Sequence, residues 1–332
     1  MARILLTGGS GFIGSQLAQY AAKEGHTVTV TTAINNDTER RRCDMLSAAG
    51  VKVLVAKLDD TGALKTALQV QDTVIHLAAA QHEAEAGEDY FRRVNVEGTR
   101  RLMEAAIDAG VGRFVYGSTI GVYGRAAGEG VLDENSPLQP DNPYGRTKAE
   151  AEKVVRELGA KIPAAIVRIS ETYGPADMRL LKLFKGISKG RFVIMGSGLN
   201  DHQLIHVDDL ARGLLLAASH PAAVGETFVL AGAAYITTNE MVDAAAKAVG
   251  KTRGVPHVPL WPFDLAAIVF EATMPPLGLR PPLHRRRLDF FHKSFRFSTA
   301  KAERLLGFKA QIPFAEGARR TAEWYRANGF LG

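Results

Sequence analysis

The chain is predicted to be an α/β protein with a doubly wound parallel sheet and a smaller C-terminal substrate-binding part, on three observations. Six short β-rich runs alternate with longer amphipathic stretches, the first run leads into a glycine-rich turn, and beyond Ile169 the spacing becomes irregular as Gly and Pro rise. Alternation of this kind implies right-handed βαβ crossovers, and therefore parallel strands with helices on both faces. The runs fall at 3–7, 27–31, 53–56, 73–77, 113–118 and 165–169. Ligands on such sheets sit beyond the carboxyl ends of the strands, so the residues after Leu6, Leu77, Val115 and Val167 are expected to converge on one crevice.

The turn is Thr7-Gly8-Gly9-Ser10-Gly11-Phe12-Ile13-Gly14, after the apolar run Arg3-Ile4-Leu5-Leu6 and ahead of an apolar segment to Tyr20. Gly8 permits a tight turn out of the strand, Gly11 lets the backbone approach a pyrophosphate, and Gly14 lets the following helix lie close to the strand. The helix N-terminus then offers free N–H groups to phosphates. The fold is thus Rossmann-type, with a dinucleotide-binding domain over 1–170 and a mainly substrate-binding domain over 171–332. Segments near 203–220 are allowed to return to the first domain. The last part, 299–326, again reads as helical, broken into two pieces by Gly307 and Pro313.

Composition narrows the function classes. With 332 residues, 46% hydrophobic and 23% charged, the chain is an ordinary globule able to bury a sizeable core. A net charge of +6 is mild for this length, and the basic residues are dispersed apart from Arg40-Arg41-Arg42 and Arg285-Arg286-Arg287. That fits a small-molecule substrate and no nucleic acid, since no basic stripe interleaved with aromatics occurs. The single cysteine, Cys43, excludes an internal disulfide and a Cys-rich metal site, so no metal is expected. No charged-then-apolar leader precedes the first strand, which points to the cytoplasm. The apolar stretch 260–279 is interrupted by Asp264, Glu271 and prolines, so no stable membrane insertion is expected, and a buried core helix is its simplest reading.

Tyr144-Gly145-Arg146-Thr147-Lys148 places a phenol and an ammonium four residues apart, on one face of a helix whose apolar pattern continues through Val154, Val155 and Leu158. A free tyrosine titrates near pH 10, and a fixed positive charge beside it favours the phenolate. Tyr144 is therefore the expected acid/base for an alcohol or ketone, with hydride carried by a nicotinamide. Thr119, just past the fifth run, is placed to hydrogen-bond the substrate oxygen, with Ser118 as an adjacent helper.

With these residues in hand, the chain resembles the extended short-chain dehydrogenase/reductase family, the NAD-dependent epimerase/dehydratase group. The likeness spans nearly the whole length: the glycine turn, Asp59, His76-Leu77-Ala78-Ala79-Ala80, Asn95 through Thr99, Ser118 through Gly124, Tyr144 through Lys148, Tyr173-Gly174-Pro175 and His206-Val207-Asp208-Asp209. The resemblance implies that Gly8, Gly11, Phe12, Ile13 and Gly14 hold the pyrophosphate and that Asp59 contacts the adenine. Ala78, Ala79 and Ala80 line the nicotinamide side, braced by Asn95. It makes Tyr144 the catalytic base, Lys148 its partner on the nicotinamide ribose, and Thr119 the catalytic hydroxyl. A homodimer, paired through the helices containing Asn95 and Tyr144, is implied by the resemblance alone.

Several positions depart from the family pattern. Thr32 ends the second strand where NAD-preferring relatives carry an acid, so both NAD and NADP stay open, and Arg40–Arg42 read more simply as solvated charges. Dehydratases follow the catalytic hydroxyl with an Asp-Glu pair; here Ile120-Gly121 follows, which transfers no proton, so dehydration is not expected. Sugar-nucleotide epimerases usually carry an Asn and an Arg where this chain has Glu171 and His202. A carboxylate there repels a diphosphate, and His202 is only a conditional cation. Arg286 is the candidate to supply a missing charge, and Glu171 to orient a polar substrate or serve as a second acid/base. Three functions follow: an NAD(P)-dependent oxidoreductase; an epimerase that retains its cofactor; and a non-catalytic dinucleotide-binding sensor, against which the intact Thr119, Tyr144 and Lys148 set argues.

Overall fold

The computed structural model describes residues 1–81, 87–128, 130–252, 254–274, 279, 281–283 and 285–331, the side chains of 285–287 excepted. Its centre is a seven-stranded sheet. The strands are β1 (Arg3–Thr7), β2 (Thr27–Thr32), β3 (Lys52–Val55), β4 (Thr73–His76), β5 (Arg113–Thr119), β6 (Ala164–Ile169) and β7 (Thr227–Leu230). They lie in the order β7-β6-β5-β4-β1-β2-β3, and every pairing is parallel. The chain order reverses between β1 and β4, where such sheets open a crevice.

Side chains alternate across this sheet, and each face has its own core. Ile4 and Leu6 of β1 join Leu17, Ala18 and Ala21 of α1 (Phe12–Lys23) and Leu210 and Leu214 of a helix at Val207–Ser219. Leu5 points the other way, among Leu64 and Leu68 of a helix at Thr61–Leu68, Leu102 and Met103 of Gly98–Asp108, and Val155 and Leu158 of Pro143–Leu158. Each such fully buried leucine contributes about 1.5–3 kcal/mol, which holds the carboxyl edge in register.

The six predicted strands are all present, with ends shifted by a residue at most. β7 is additional. It comes from beyond residue 170, as does the helix Val207–Ser219 packed beside α1, so this layer draws on both halves of the chain. A separate core gathers Tyr173, Phe184, Met241, Val242, Ala318, Ala322 and Tyr325 from the later segments. The two C-terminal helices are Ala300–Leu306 and Phe314–Ala327, with Gly307 left-handed at φ 63 between them. No helix among the described residues is long and apolar enough to cross a membrane.

One expectation fails. The helix Trp261–Thr273 is not a core helix: only Ala267 is buried, while Trp261, Leu265, Ile268 and Val269 are exposed. Periodicity identifies a helix that has something to bury but does not say which face is covered.

Candidate active site

The glycine turn fits a dinucleotide. Gly8 has φ 74 and a Cβ there would lie 2.7 Å from the Ala78 nitrogen, while a Cβ on Gly14 would collide with the Gly8 carbonyl oxygen. No side chain caps α1 at Gly11, and the first intrahelical bond runs from Ser15 N–H to Gly11 O at 3.0 Å. The amides of Phe12, Ile13 and Gly14 thus remain directed out of the helix end, the arrangement that receives a pyrophosphate. Gly14→Ala is expected to cost roughly 1–3 kcal/mol of stability and to weaken NAD binding, both measurable by denaturation and by fluorescence titration of the dinucleotide. Unchanged affinity would remove the turn from the binding site.

The nicotinamide side is held by a continuous set of buried hydrogen bonds. Asn95 Oδ1 accepts from Ala80 N–H at 2.8 Å, and Asn95 Nδ2 donates to Ala80 O at 3.1 Å and to Thr147 Oγ1 at 3.0 Å. The loop Ala78–Ala80 is thereby tied to the helix that carries Tyr144 and Lys148. His76 completes the frame, with Thr7 Oγ1 on Nδ1 at 2.6 Å and Thr99 Oγ1 on Nε2 at 3.0 Å. Ala78 N–H in turn donates to Thr7 Oγ1. Burial and the nearby Lys148 charge push His76 down to about 3, so the ring is a neutral connector. Sequence reasoning noted His76 only as part of a motif.

The helix Pro143–Leu158 starts where it must to bring Tyr144 to β5. Asn142 caps it by accepting from Gly145 N–H at 3.0 Å, Pro143 occupies the first turn, and Gly145 lies so close to Gly121 that a Cβ would be 2.6 Å from its carbonyl oxygen. Tyr144 is consequently brought beside Thr119, whose hydroxyl oxygen accepts from Gly121 N–H at 3.1 Å. Burial pushes the Tyr144 phenol up to about 12, against the neighbouring Thr119 hydroxyl and the Arg179 charge, which favour the phenolate. Lys148 differs from the sequence expectation: it donates to Gly117 O at 2.6 Å and lies 4.1 Å above the Tyr116 ring, rather than acting on the phenol directly. Its burial brings the ammonium down to about 7.

Ser118 does not face the crevice. Adjacent strand residues point to opposite faces, so with Thr119 toward Tyr144 the Ser118 hydroxyl turns inward and donates to buried Glu152 at 2.7 Å. Asp59 sits exposed in the turn after β3. Arg42 is not merely solvated: it donates to Ser10 O at 3.2 Å and to Ala176 O at 3.0 Å, across the glycine turn. Thr32 is buried, with its hydroxyl bonded to Ser10. Glu171 and His202 come together at the same carboxyl edge, 3.9 Å apart. Arg286 falls in the helix Arg285–His292, and its side chain lies outside the described residues. Among the described residues no group of three or more His, Cys, Asp or Glu is arranged to hold a metal.

A parallel sheet with a glycine turn after its first strand, and a tyrosine one turn before a lysine beside the fifth, defines a dinucleotide-dependent enzyme of the short-chain dehydrogenase/reductase class. The chain belongs to the NAD-dependent epimerase/dehydratase family, whose model matches residues 4–231. Its cofactor is accordingly a nicotinamide dinucleotide, NAD in the family name. The chain is 30% identical to a 2-alkyl-3-oxoalkanoate reductase of Stenotrophomonas maltophilia, over 96% of this chain and 98% of that one. It is 29% identical to a dTDP-glucose 4,6-dehydratase of Streptomyces niveus, over 98% and 93%. Among solved structures it resembles MoeE5 in complex with UDP-glucuronic acid and NAD, with a TM-score of 0.75, 26% identity and coverage of 98% and 99%.

Proposed function

We propose that this protein is an NAD(P)-dependent oxidoreductase acting on a secondary alcohol or its ketone. The observation that carries the reading is the meeting of Thr119 and Tyr144 at the carboxyl edge, with Lys148 one turn further along the same helix. The pyrophosphate is held by Gly8, Gly11, Phe12, Ile13 and Gly14, the adenine side by Asp59, and the nicotinamide side by Ala78–Ala80 and Lys148. When bound, the dinucleotide supplies the hydride acceptor or donor. Tyr144 Oη exchanges the proton of the substrate oxygen, and Thr119 orients that oxygen while supporting the phenolate. Lys148, held by Gly117 O and the Tyr116 ring, adds positive charge behind them in its protonated form.

Dehydration is not part of this reading, although several relatives are named for it. The turn after Thr119 is Ile120-Gly121, and neither residue can take or give a proton. The 2-alkyl-3-oxoalkanoate reductase supports simple ketone chemistry; the relatives named for sugar nucleotides support a second reading, an epimerase that keeps its NAD bound. Incubation with 4-deuterated NADH or NADPH and a panel of 3-oxo acids and hydroxyketones separates the two. Net cofactor oxidation with deuterium in the product is the expected result. Tightly retained NAD with configuration inverted and no net oxidation would replace this reading by the epimerase.

A further inference from the structure

Glu171 and His202 form a polar corner that the reaction described above does not use. Glu171 lies two residues past Ile169, the β6 residue paired with Thr119, and is therefore on the crevice lip next to the catalytic hydroxyl. His202 is fully buried behind it, its ring against Phe290 at 4.4 Å between centroids.

The ring is held from behind by polar groups. Asn200 Nδ2 donates to the carbonyl oxygen of Phe290 at 2.7 Å and lies 3.2 Å from both Lys293 O and His202 Nε2. Thr238 donates its hydroxyl proton to Asn200 Oδ1 at 2.8 Å, and its oxygen is 2.9 Å from His202 Nε2. His202 Nδ1 is buried with no hydrogen-bond partner, and the Glu171 carboxylate is 3.9 Å from it. The carboxylate is half-exposed toward the crevice and, among the described residues, receives no hydrogen bond. The nearby cation, Arg179, is engaged by Asp177 and by Thr172 O.

A half-exposed carboxylate that receives no hydrogen bond is completed by a donor and opposed by an anion. We infer that Glu171, backed by His202, is the specificity-determining anchor of the substrate site, taking a hydroxyl group of an uncharged, phosphate-free substrate and excluding a nucleoside diphosphate. Arg179 disfavours a cationic substrate in the same place, which leaves the hydroxyl as the donor. His202 acts as a positioning residue, held behind the carboxylate by Thr238 and the Phe290 ring. This inference deepens the oxidoreductase reading by naming the substrate class of its crevice.

The test is calorimetric titration of UDP into the NAD-saturated protein, wild type and Glu171→Gln, at neutral pH. Wild type is expected to bind weakly, and Glu171→Gln, which keeps the shape and removes the charge, roughly tenfold or more tightly. NAD affinity, measured alongside, should be the same in both and reports that the variant is folded. Micromolar UDP binding by wild type, or no gain in Glu171→Gln, overturns the inference. Neither titration involves Tyr144 or turnover, so a failed anchor and a failed oxidoreductase reading are seen separately.

Discussion

Tyr144→Phe is expected to lower kcat by roughly 10²–10⁴-fold, the usual share of a positioned acid/base, while NAD affinity stays nearly unchanged. The substitution removes one oxygen and keeps the ring, so the packing of the first turn of Pro143–Leu158 against Gly121 survives. What disappears is the phenol beside Thr119 that is able to exchange a proton with the substrate oxygen. Among the described residues the neighbours do not replace it: Ser118 faces Glu152, and Lys148 is committed to Gly117 O. Steady-state kinetics with the best ketone substrate, set beside a dinucleotide titration, checks both halves. Full turnover in this variant would take the acid/base role away from Tyr144; lost NAD binding would mean that the phenol serves the cofactor instead.

Much of this was legible because the signals are local. Gly8 is marked by the left-handed backbone of the turn itself, Gly14 by its contact with Gly8 and Gly9, and the Tyr144–Lys148 spacing is a property of one helix. The strands read correctly because each is a short run rich in β-branched and apolar residues between helical stretches. What escaped depends on long-range contacts. β7 is four residues long and gains its strand character by pairing with β6. The direction of Ser118 follows from the register of β5, not from its identity. The outward face of Trp261–Thr273 is a tertiary fact, as is the setting of His202, which brings Asn200, Thr238 and Phe290 into one place. Sequence comparison with the family pattern marked Glu171 and His202 as unusual; only the fold shows that they are unusual together.

The largest stability effect belongs to a residue the sequence did not single out. Arg168 of β6 is 2% exposed and Glu152 is fully buried, and they form a two-pronged ion pair at 3.0 and 2.9 Å. Arg168 also donates to Tyr123 Oη and Glu134 O, both at 3.0 Å, and Glu152 accepts from Ser118 and from Arg156. The pair thus joins β6, the end of β5, the turn around Tyr123 and the helix that carries Tyr144. Arg168→Met keeps most of the volume but strands a buried carboxylate, and should lower the unfolding free energy by roughly 3–5 kcal/mol, toward the lower end because Ser118 and Arg156 remain. Urea denaturation of wild type and variant measures this directly. Arg168 holds the Glu152 carboxyl below its usual range despite burial, so the wild-type contribution is present at neutral pH and is lost as acid titrates the carboxyl through that depressed value. In the variant the carboxyl is protonated at higher pH, since only burial and two weaker partners act on it. The stability gap should therefore narrow between neutral pH and the ordinary carboxylate range, and adding Glu152→Gln should recover part of it at neutral pH. A gap below about 1 kcal/mol, the scale of an exposed pair, would mean that water reaches this pair and that the helix bearing Tyr144 is held by its apolar face alone.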